Sequence, residues 1–218
     1  MKTSKNQPGG ALDHEEKLRF IREAGELKDK NAVDLLTEMI RNEKELLCDI
    51  IWALGKIADP NSTDAVLKFL VHDDWQVRGA SAEAIGEIGG GDEIVKLLIE
   101  MLNDKSDHVH WKAAWSLGNI GNVSAVDTLN KMLSEEDPQK CWHYVWALGQ
   151  IGDRRAIKPL VSKLEKSSDI NLRRNIAYAL KNIHEPQSIE IFKQLLEDRD
   201  SEVRHYANEA IISFQDQI

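Results

Sequence analysis

Residues Asp137–Asp153 read Asp-Pro-Gln-Lys-Cys-Trp-His-Tyr-Val-Trp-Ala-Leu-Gly-Gln-Ile-Gly-Asp, and this segment decides the fold. Asp137 is a helix-capping residue, and Pro138 stands at the first helical position, where a missing backbone N–H is tolerated. The segment closes with Ala-Leu-Gly-x-Ile-Gly-Asp, and a glycine after the last helical residue is a common helix end. The segment therefore predicts one capped helix with a defined start and end.

The same ending recurs along the whole chain. Clear copies are Trp52–Ile57, Ala84–Gly89 and Ser116–Gly121, degenerate copies are Ala179–Ile183 and Ala210–Phe214, and a first trace is Ala24-Gly25. The equivalent positions are 25, 55, 86, 118, 149, 181 and 212, so that successive copies are 30 to 32 residues apart. A period of this length indicates stacked helical hairpins. We therefore predict an all-α fold, a right-handed α-solenoid of about six helix pairs with an N-terminal capping helix.

The pattern also sets the domain organisation. Residues 1–12 are polar and include Pro8-Gly9-Gly10, so we expect a disordered N-terminal tail, followed by a single solenoid domain over 13–218. Asp13 is predicted to cap a helix that runs to about Lys28 and covers the open end of the stack. First helices are predicted at 32–42, 63–72, 92–103, 124–134, 156–166 and 187–197. Second helices are predicted at 44–57, 75–88, 107–120, 138–151, 170–183 and 201–214, with caps at Asp74, Ser106, Asp137, Asp169 and Asp200.

Composition narrows the function classes. A net charge of −9 argues against broad binding of nucleic acids or anionic membranes. Cys48 and Cys141 lie three repeats apart, which favours free thiols in a reducing compartment over a disulfide framework. The sequence contains no apolar run of about 18 residues and no apolar core of a signal peptide. These features predict a soluble, cytoplasmic protein.

The repeat resembles a known family. Val77–Gly86 and Val203–Ala210 follow the pattern Val-Arg-x-x-Ala-Ala-x-Ala-Leu-Gly. Over about residues 20–214 the chain resembles the HEAT-like repeats named after the phycocyanobilin (phycobilisome) lyase subunits. The resemblance implies an α-solenoid whose second helices line the concave side. Bilin lyases, iron-dependent hydroxylases and binding proteins without chemistry all resemble this pattern, so the fold does not decide the function.

Two positions of each second helix carry an unusual composition. At about 100° per residue, the positions three and seven before the repeat glycine lie opposite the predicted core face, one helical turn apart. Their occupants in the six units are Cys48 and Trp52, Gly79 and Glu83, Trp111 and Trp115, Trp142 and Trp146, Arg174 and Tyr178, and His205 and Glu209. Five of the six tryptophans are in this set, and Trp75 lies on the same stripe. The core-facing set contains no tryptophan.

We interpret this stripe as a ligand-binding groove, because exposed tryptophans rarely accumulate without a partner. The Arg found eight before the glycine in other units is replaced by His110 and Cys141 in the units with paired tryptophans, and Glu83 and Arg174 flank these units with opposite charge. The predicted groove residues are Trp52, Trp75, Glu83, His110, Trp111, Trp115, Trp142, His143, Trp146, Arg174 and Tyr178. The alternative is that the tryptophans stack across neighbouring repeats and only stiffen the array.

Three functions remain open from the sequence. The first is a non-enzymatic scaffold that holds a protein or peptide in the groove, with no catalytic residues and no cofactor. The second is a bilin-lyase-like protein that handles a tetrapyrrole, with Arg174 and histidines available for propionates. The third is a relative of HEAT-like nucleic-acid glycosylases, which the missing basic flank disfavours. We expect no membrane or nucleic-acid partner, and the groove could also hold a second copy of the chain.

Metal binding and nucleophilic catalysis are disfavoured. His108 and His110 are two residues apart on one helix and point about 200° apart, which does not suit a shared metal. The His-Glu pairs His14-Glu15 and His184-Glu185 lie outside the second-helix positions used by the iron hydroxylases, so we expect no metal. Cys141 and His143 are also two apart, which is not the spacing of a nucleophile and its base.

Overall fold

The structure is a computed structural model that describes residues 13–135 and 141–215. Within these ranges the chain forms α-helices, 3-10 turns and loops, with no strand. The first helices are α2 (Val33–Asn42), α4 (Thr63–Leu67), α6 (Asp92–Met101), α8 (Val126–Glu135), α10 (Ile157–Lys166) and α12 (Ile189–Leu195). The capping helix is α1 (His14–Glu26), and the second helices are α3 (Leu47–Ile57), α5 (Trp75–Ile88), α7 (Asp107–Ile120), α9 (Trp142–Ile151), α11 (Ile170–Ile183) and α13 (Ser201–Gln215).

The predicted all-α solenoid is confirmed. The helices α1, α3, α5, α7, α9, α11 and α13 pack on one another in chain order and form one continuous layer, called the second-helix layer here. Each first helix packs on the second helix of its own pair. Helix α1 lies against α3 at the open end, as predicted for a capping helix. The predicted tail, residues 1–12, the predicted cap Asp137 and the predicted first helical residue Pro138 lie outside the described residues.

Side-chain caps fix the starts of three second helices, α5, α11 and α13. The Asp74 carboxylate accepts a hydrogen bond from the backbone N–H of Gln76 at 2.8 Å, and Asp169 accepts one from Asn171 at 2.9 Å. Ser106 occupies the predicted N-cap position of α7, but its side chain makes no capping hydrogen bond. Its backbone N–H instead donates to the carboxylate of Asp104 at 2.8 Å. Helix α4 is also shorter than predicted, since residues 68–71 form a turn.

Close backbone contacts hold the second-helix layer together. A Cβ atom at Gly86 would lie 2.7 Å from the Cα atom of Ser116, and one at Gly55 would lie 2.7 Å from the Cα atom of Ala84. Contacts that short do not occur between real Cβ and Cα atoms. Each repeat glycine therefore allows the backbone of the next second helix to lie closer than any side chain would permit. This approach brings the exposed side chains of neighbouring repeats within contact distance of each other.

Buried arginines link consecutive repeats. The Arg78 guanidinium donates to both carboxylate oxygens of Asp104, at 2.7 and 2.8 Å, and to the carbonyls of His72 and Asp73. Arg173 forms the equivalent ion pair with Asp198. In the third unit His110 occupies this position, and its ring N–H donates to the carbonyl of Asp104.

Among the described residues, no helix has both the length and the apolar character that crossing a bilayer needs.

Candidate binding surface

The tryptophans of the second-helix layer differ in exposure. Trp75 is 44% exposed and Trp142 is 45% exposed, whereas Trp52, Trp111, Trp115 and Trp146 are half-buried. The side chains of Trp52 and Trp146 pack against the core. The predicted stripe is therefore not uniform, and Trp75 and Trp142 are its most accessible tryptophan rings.

Four rings form a continuous line across three helices. The ring centroids of Trp75 and His108 are 5.2 Å apart, those of His108 and Trp111 are 5.4 Å apart, and those of Trp111 and Trp142 are 6.1 Å apart. The first two contacts are edge-to-face, which is a favourable arrangement for aromatic rings. We call Trp75, His108, Trp111 and Trp142 the aromatic row. It lies near the N-terminal ends of α5, α7 and α9.

His108 is the member of the row that sequence reasoning missed. It lies ten residues before Gly118, which on a helical wheel is beside the predicted stripe and not on it. Gly79 provides the space for it, since a Cβ atom there would lie 3.0 Å from the Cδ2 atom of His108. Burial and the nearby charge of Lys112 lower the pKa of His108, which favours a neutral ring between the two tryptophans.

Trp115 and Trp146 form a separate stacked pair. Their rings are nearly parallel, with an interplanar angle of 9° and centroids 6.4 Å apart. The Trp146 ring covers Gly118, where a Cβ atom would lie 2.7 Å from the ring atom Cζ3. This pair fits the alternative interpretation, that tryptophans stack across repeats. Trp52 covers Gly25 of α1 in the same way, with its Cζ3 atom 2.7 Å from a Cβ atom built there.

His143 does not lie on the exposed surface, so that part of the prediction was wrong. Only 8% of the residue is exposed, and its Nε2 atom is buried without a hydrogen-bond partner. Burial, reinforced by His110, lowers the pKa of His143 to about 4, so the ring is neutral at neutral pH. The helical-wheel argument assumed one buried face, whereas α9 also packs on α7 and α11 at its sides.

The charged members of the predicted groove are already paired. Glu83 forms a salt bridge with Lys112, whose Nζ atom lies 4.5 Å from the centroid of the Trp111 ring. Arg174 was expected to flank the tryptophans with a positive charge, but its guanidinium donates to both carboxylate oxygens of Asp200, at 2.8 and 3.0 Å. This hydrogen-bonded pair lowers the pKa of Asp200 to about 2.

The remaining predicted residues lie at the ends of the surface. Tyr178 is 40% exposed and contacts Tyr206 edge-to-face, with centroids 5.5 Å apart. Trp52 and Glu83 line a cavity of about 90 Å³ between α3 and α5, which also includes Ala80 and Ala84. This volume is well below the roughly 300–1,000 Å³ of typical small-molecule sites. Whether any of these residues bind a ligand remains a prediction.

The described residues hold no group of three or more His, Cys, Asp or Glu side chains arranged to bind a metal ion. His110 donates to the Asp104 carbonyl instead. Cys141 is fully buried, and His143 is also buried. The arrangement is that of an aromatic surface on which Glu83 and Arg174 are each paired with an opposite charge.

Comparisons with known structures support the fold. An engineered protein solved by the Northeast Structural Genomics Consortium is 22% identical with a TM-score of 0.60 over 94% of this chain, and this chain spans 66% of its length. The complex of CpcE and CpcF of phycocyanin lyase from Nostoc sp. PCC7120 is 19% identical with a TM-score of 0.55, over 98% of this chain and 99% of that one. At these identities the likeness shows the fold alone.

Sequence comparison gives the family. No curated protein matches the chain. The HEAT repeats family matches residues 11–86, 63–141 and 130–212, which together cover nearly the whole sequence. The matched segments contain α1 to α12, most of α13 and the whole aromatic row. The chain therefore belongs to the HEAT repeat family.

Proposed function

We propose that this protein is a non-enzymatic scaffold that holds an extended segment of a protein partner on the aromatic row and the adjoining second-helix layer. The observation that carries the proposal is the unbroken contact of four rings from α5, α7 and α9, with a tryptophan about 45% exposed at each end. The HEAT repeat fold of this chain is consistent with a protein-binding role. Tryptophan is also among the residues that contribute most at protein interfaces.

The rings are held in place before any partner binds. His108 contacts Trp75 on one side and Trp111 on the other, and Lys112 lies over the Trp111 ring. Side chains that are already ordered lose little conformational freedom on binding, so more of the interaction energy appears as affinity. An exposed row of this kind is also costly to leave in water, and a partner that covers it removes apolar area from solvent.

The open shape favours a polypeptide over a small planar ligand. The row is a surface that crosses three helices, and the cavity that Trp52 and Glu83 line between α3 and α5 is only about 90 Å³. A tetrapyrrole would also need cations for its propionates, and Arg174 is held by Asp200. An extended segment or a partner helix can lie along such a row and place side chains between the rings.

Replacing Trp75 and Trp142 together with alanine is expected to weaken partner binding by at least about 30-fold, since truncation of a single interface tryptophan commonly costs about 2 kcal/mol. Stability should change little, because both side chains are nearly half exposed. The measurement is quantitative capture of cellular proteins on immobilised wild-type and variant protein, with thermal unfolding followed by circular dichroism.

The matched control is Val123→Ala. Val123 is 51% exposed, and it follows the C-terminal end of α7, whereas the aromatic row lies near the N-terminal end. Captured proteins should be the same for this variant and the wild type. An identical capture profile for the double tryptophan variant, with its fold intact, would rule out the row as the binding surface.

A further inference from the structure

We propose that the partner segment is basic, and that its Lys or Arg side chains stack on the rings of Trp75 and Trp142. This inference rests on the proposed function and adds the chemistry of the occupant. It is carried by three features of the described residues: the pairing of the Lys and Arg side chains on α3, α5, α7, α9 and α11, the acids beside the row, and the way this surface already binds cations.

The second helices α3, α5, α7, α9 and α11 offer no unpaired Lys or Arg side chain to an acidic partner. Helices α3, α5, α7, α9 and α11 are described in full, and each of their Lys and Arg side chains forms a salt bridge with a carboxylate. The pairs are Lys56–Glu87, Arg78–Asp104, Lys112–Glu83, Arg173–Asp198, Arg174–Asp200 and Lys181–Glu209. An acidic segment or a nucleic acid would have to break these pairs to find a counter-charge.

Exposed carboxylates border the aromatic row instead. Asp73 and Asp74 immediately precede Trp75. Both residues are exposed to solvent, and the neutral state favoured for His108 adds no positive charge to the row. With a net charge of −9 for the whole chain, the electrostatic potential at the row attracts cations and speeds their encounter.

The surface already uses its rings to hold cations. The Nζ atom of Lys112 lies 4.5 Å from the centroid of the Trp111 ring, and that of Lys181 lies 5.2 Å from the ring centroids of both Tyr178 and Tyr206. Both distances are within the range of cation–π attraction. The described residues place no cation on Trp75 or Trp142, which are the more exposed rings. A basic segment would complete the same arrangement at both ends of the row.

The test is a selection from a displayed library of short random peptides on the full-length protein. Peptides that also bind the Trp75→Ala/Trp142→Ala variant are removed, so that the remaining ones depend on the row. We expect these peptides to carry a clear excess of Lys and Arg over Asp and Glu. Their affinity should fall several-fold between about 50 and 300 mM salt, because salt screens exposed charges.

Single-charge variants sharpen the test. Asp73→Asn should weaken the selected peptides by about 2- to 5-fold, the size expected for one exposed charge pair, while Asp64→Asn on α4 should have no effect. Row-dependent peptides without a basic excess, or with salt-independent affinity, would overturn this inference and leave the proposed function standing. Failure to recover any row-dependent peptide would count against both.

Discussion

Replacing Arg78 with leucine is expected to lower the free energy of unfolding by about 3–5 kcal/mol, as is usual when one partner of a buried ion pair is removed. The Arg78 side chain is 6% exposed and that of Asp104 is 13% exposed. In the wild type the Arg78 guanidinium holds the pKa of the Asp104 carboxyl below its usual range. The substitution would leave the negative charge of Asp104 without this partner. It would also remove the donors to two backbone carbonyls. Chemical denaturation measures the change.

The matched control is Arg204→Leu. Arg204 occupies the same repeat position, but it is exposed and donates to the carbonyl of Asp198. We expect a loss of no more than about 1 kcal/mol. Adding Asp104→Leu to Arg78→Leu should recover part of the stability, because the uncompensated charge is then removed. Equal losses for Arg78→Leu and Arg204→Leu would show that the buried pair does not link the repeats as described.

Replacing Gly86 with valine is expected to destabilise the protein by about 3 kcal/mol, at the upper end of the usual cost of overpacking. A Cβ atom at this position would lie 2.4 Å from the Ser116 Oγ atom and 2.7 Å from its Cα atom. Because the Cα atom belongs to the backbone of α7, no side-chain rotation relieves the clash. Helices α5 and α7 would have to move apart, and the loss is read from the midpoint of chemical denaturation.

Gly91→Val provides the control for this prediction. No atom lies within 4 Å of a Cβ atom built at Gly91, and its φ of −82° and ψ of −171° suit any residue. The expected cost is about 1 kcal/mol or less, from the weaker helix-capping preference of valine. If Gly91→Val were as damaging as Gly86→Val, the close contact between α5 and α7 would not be the cause.

The fold was predictable because the repeat signal comes from local chemistry. Each glycine at the repeat position, and each small residue near it, lies where the next helix packs closely. The pattern therefore gave α5, α7 and α11 with the bounds that the structure shows. Shorter elements were less predictable. Helix α4 ends at Leu67, and α3 begins at Leu47 after a 3-10 turn. These bounds were hard to predict because turns and helix ends share much of their composition.

The site was predictable only in part, because a helical wheel describes one helix at a time. It placed Trp75, Trp111 and Trp142 on a common surface, and the structure brings their rings into one row. It could not show that the neighbouring helices bury His143, or that Gly79 makes room for His108. The pairing of Arg174 with Asp200 was also hidden, since these residues are 26 positions apart in the sequence.

Site-specific photo-crosslinking tests the central claim most directly. A photoreactive phenylalanine analogue would replace Trp142 in one version of the full-length protein and Val123 in another, in the cells that produce the protein. We expect the version with the analogue at position 142 to form adducts with a distinct partner protein. The version with the analogue at position 123 should form little or no such product. Adducts only with a second copy of this chain, or equal products from both positions, would contradict the proposal that the aromatic row holds a protein partner.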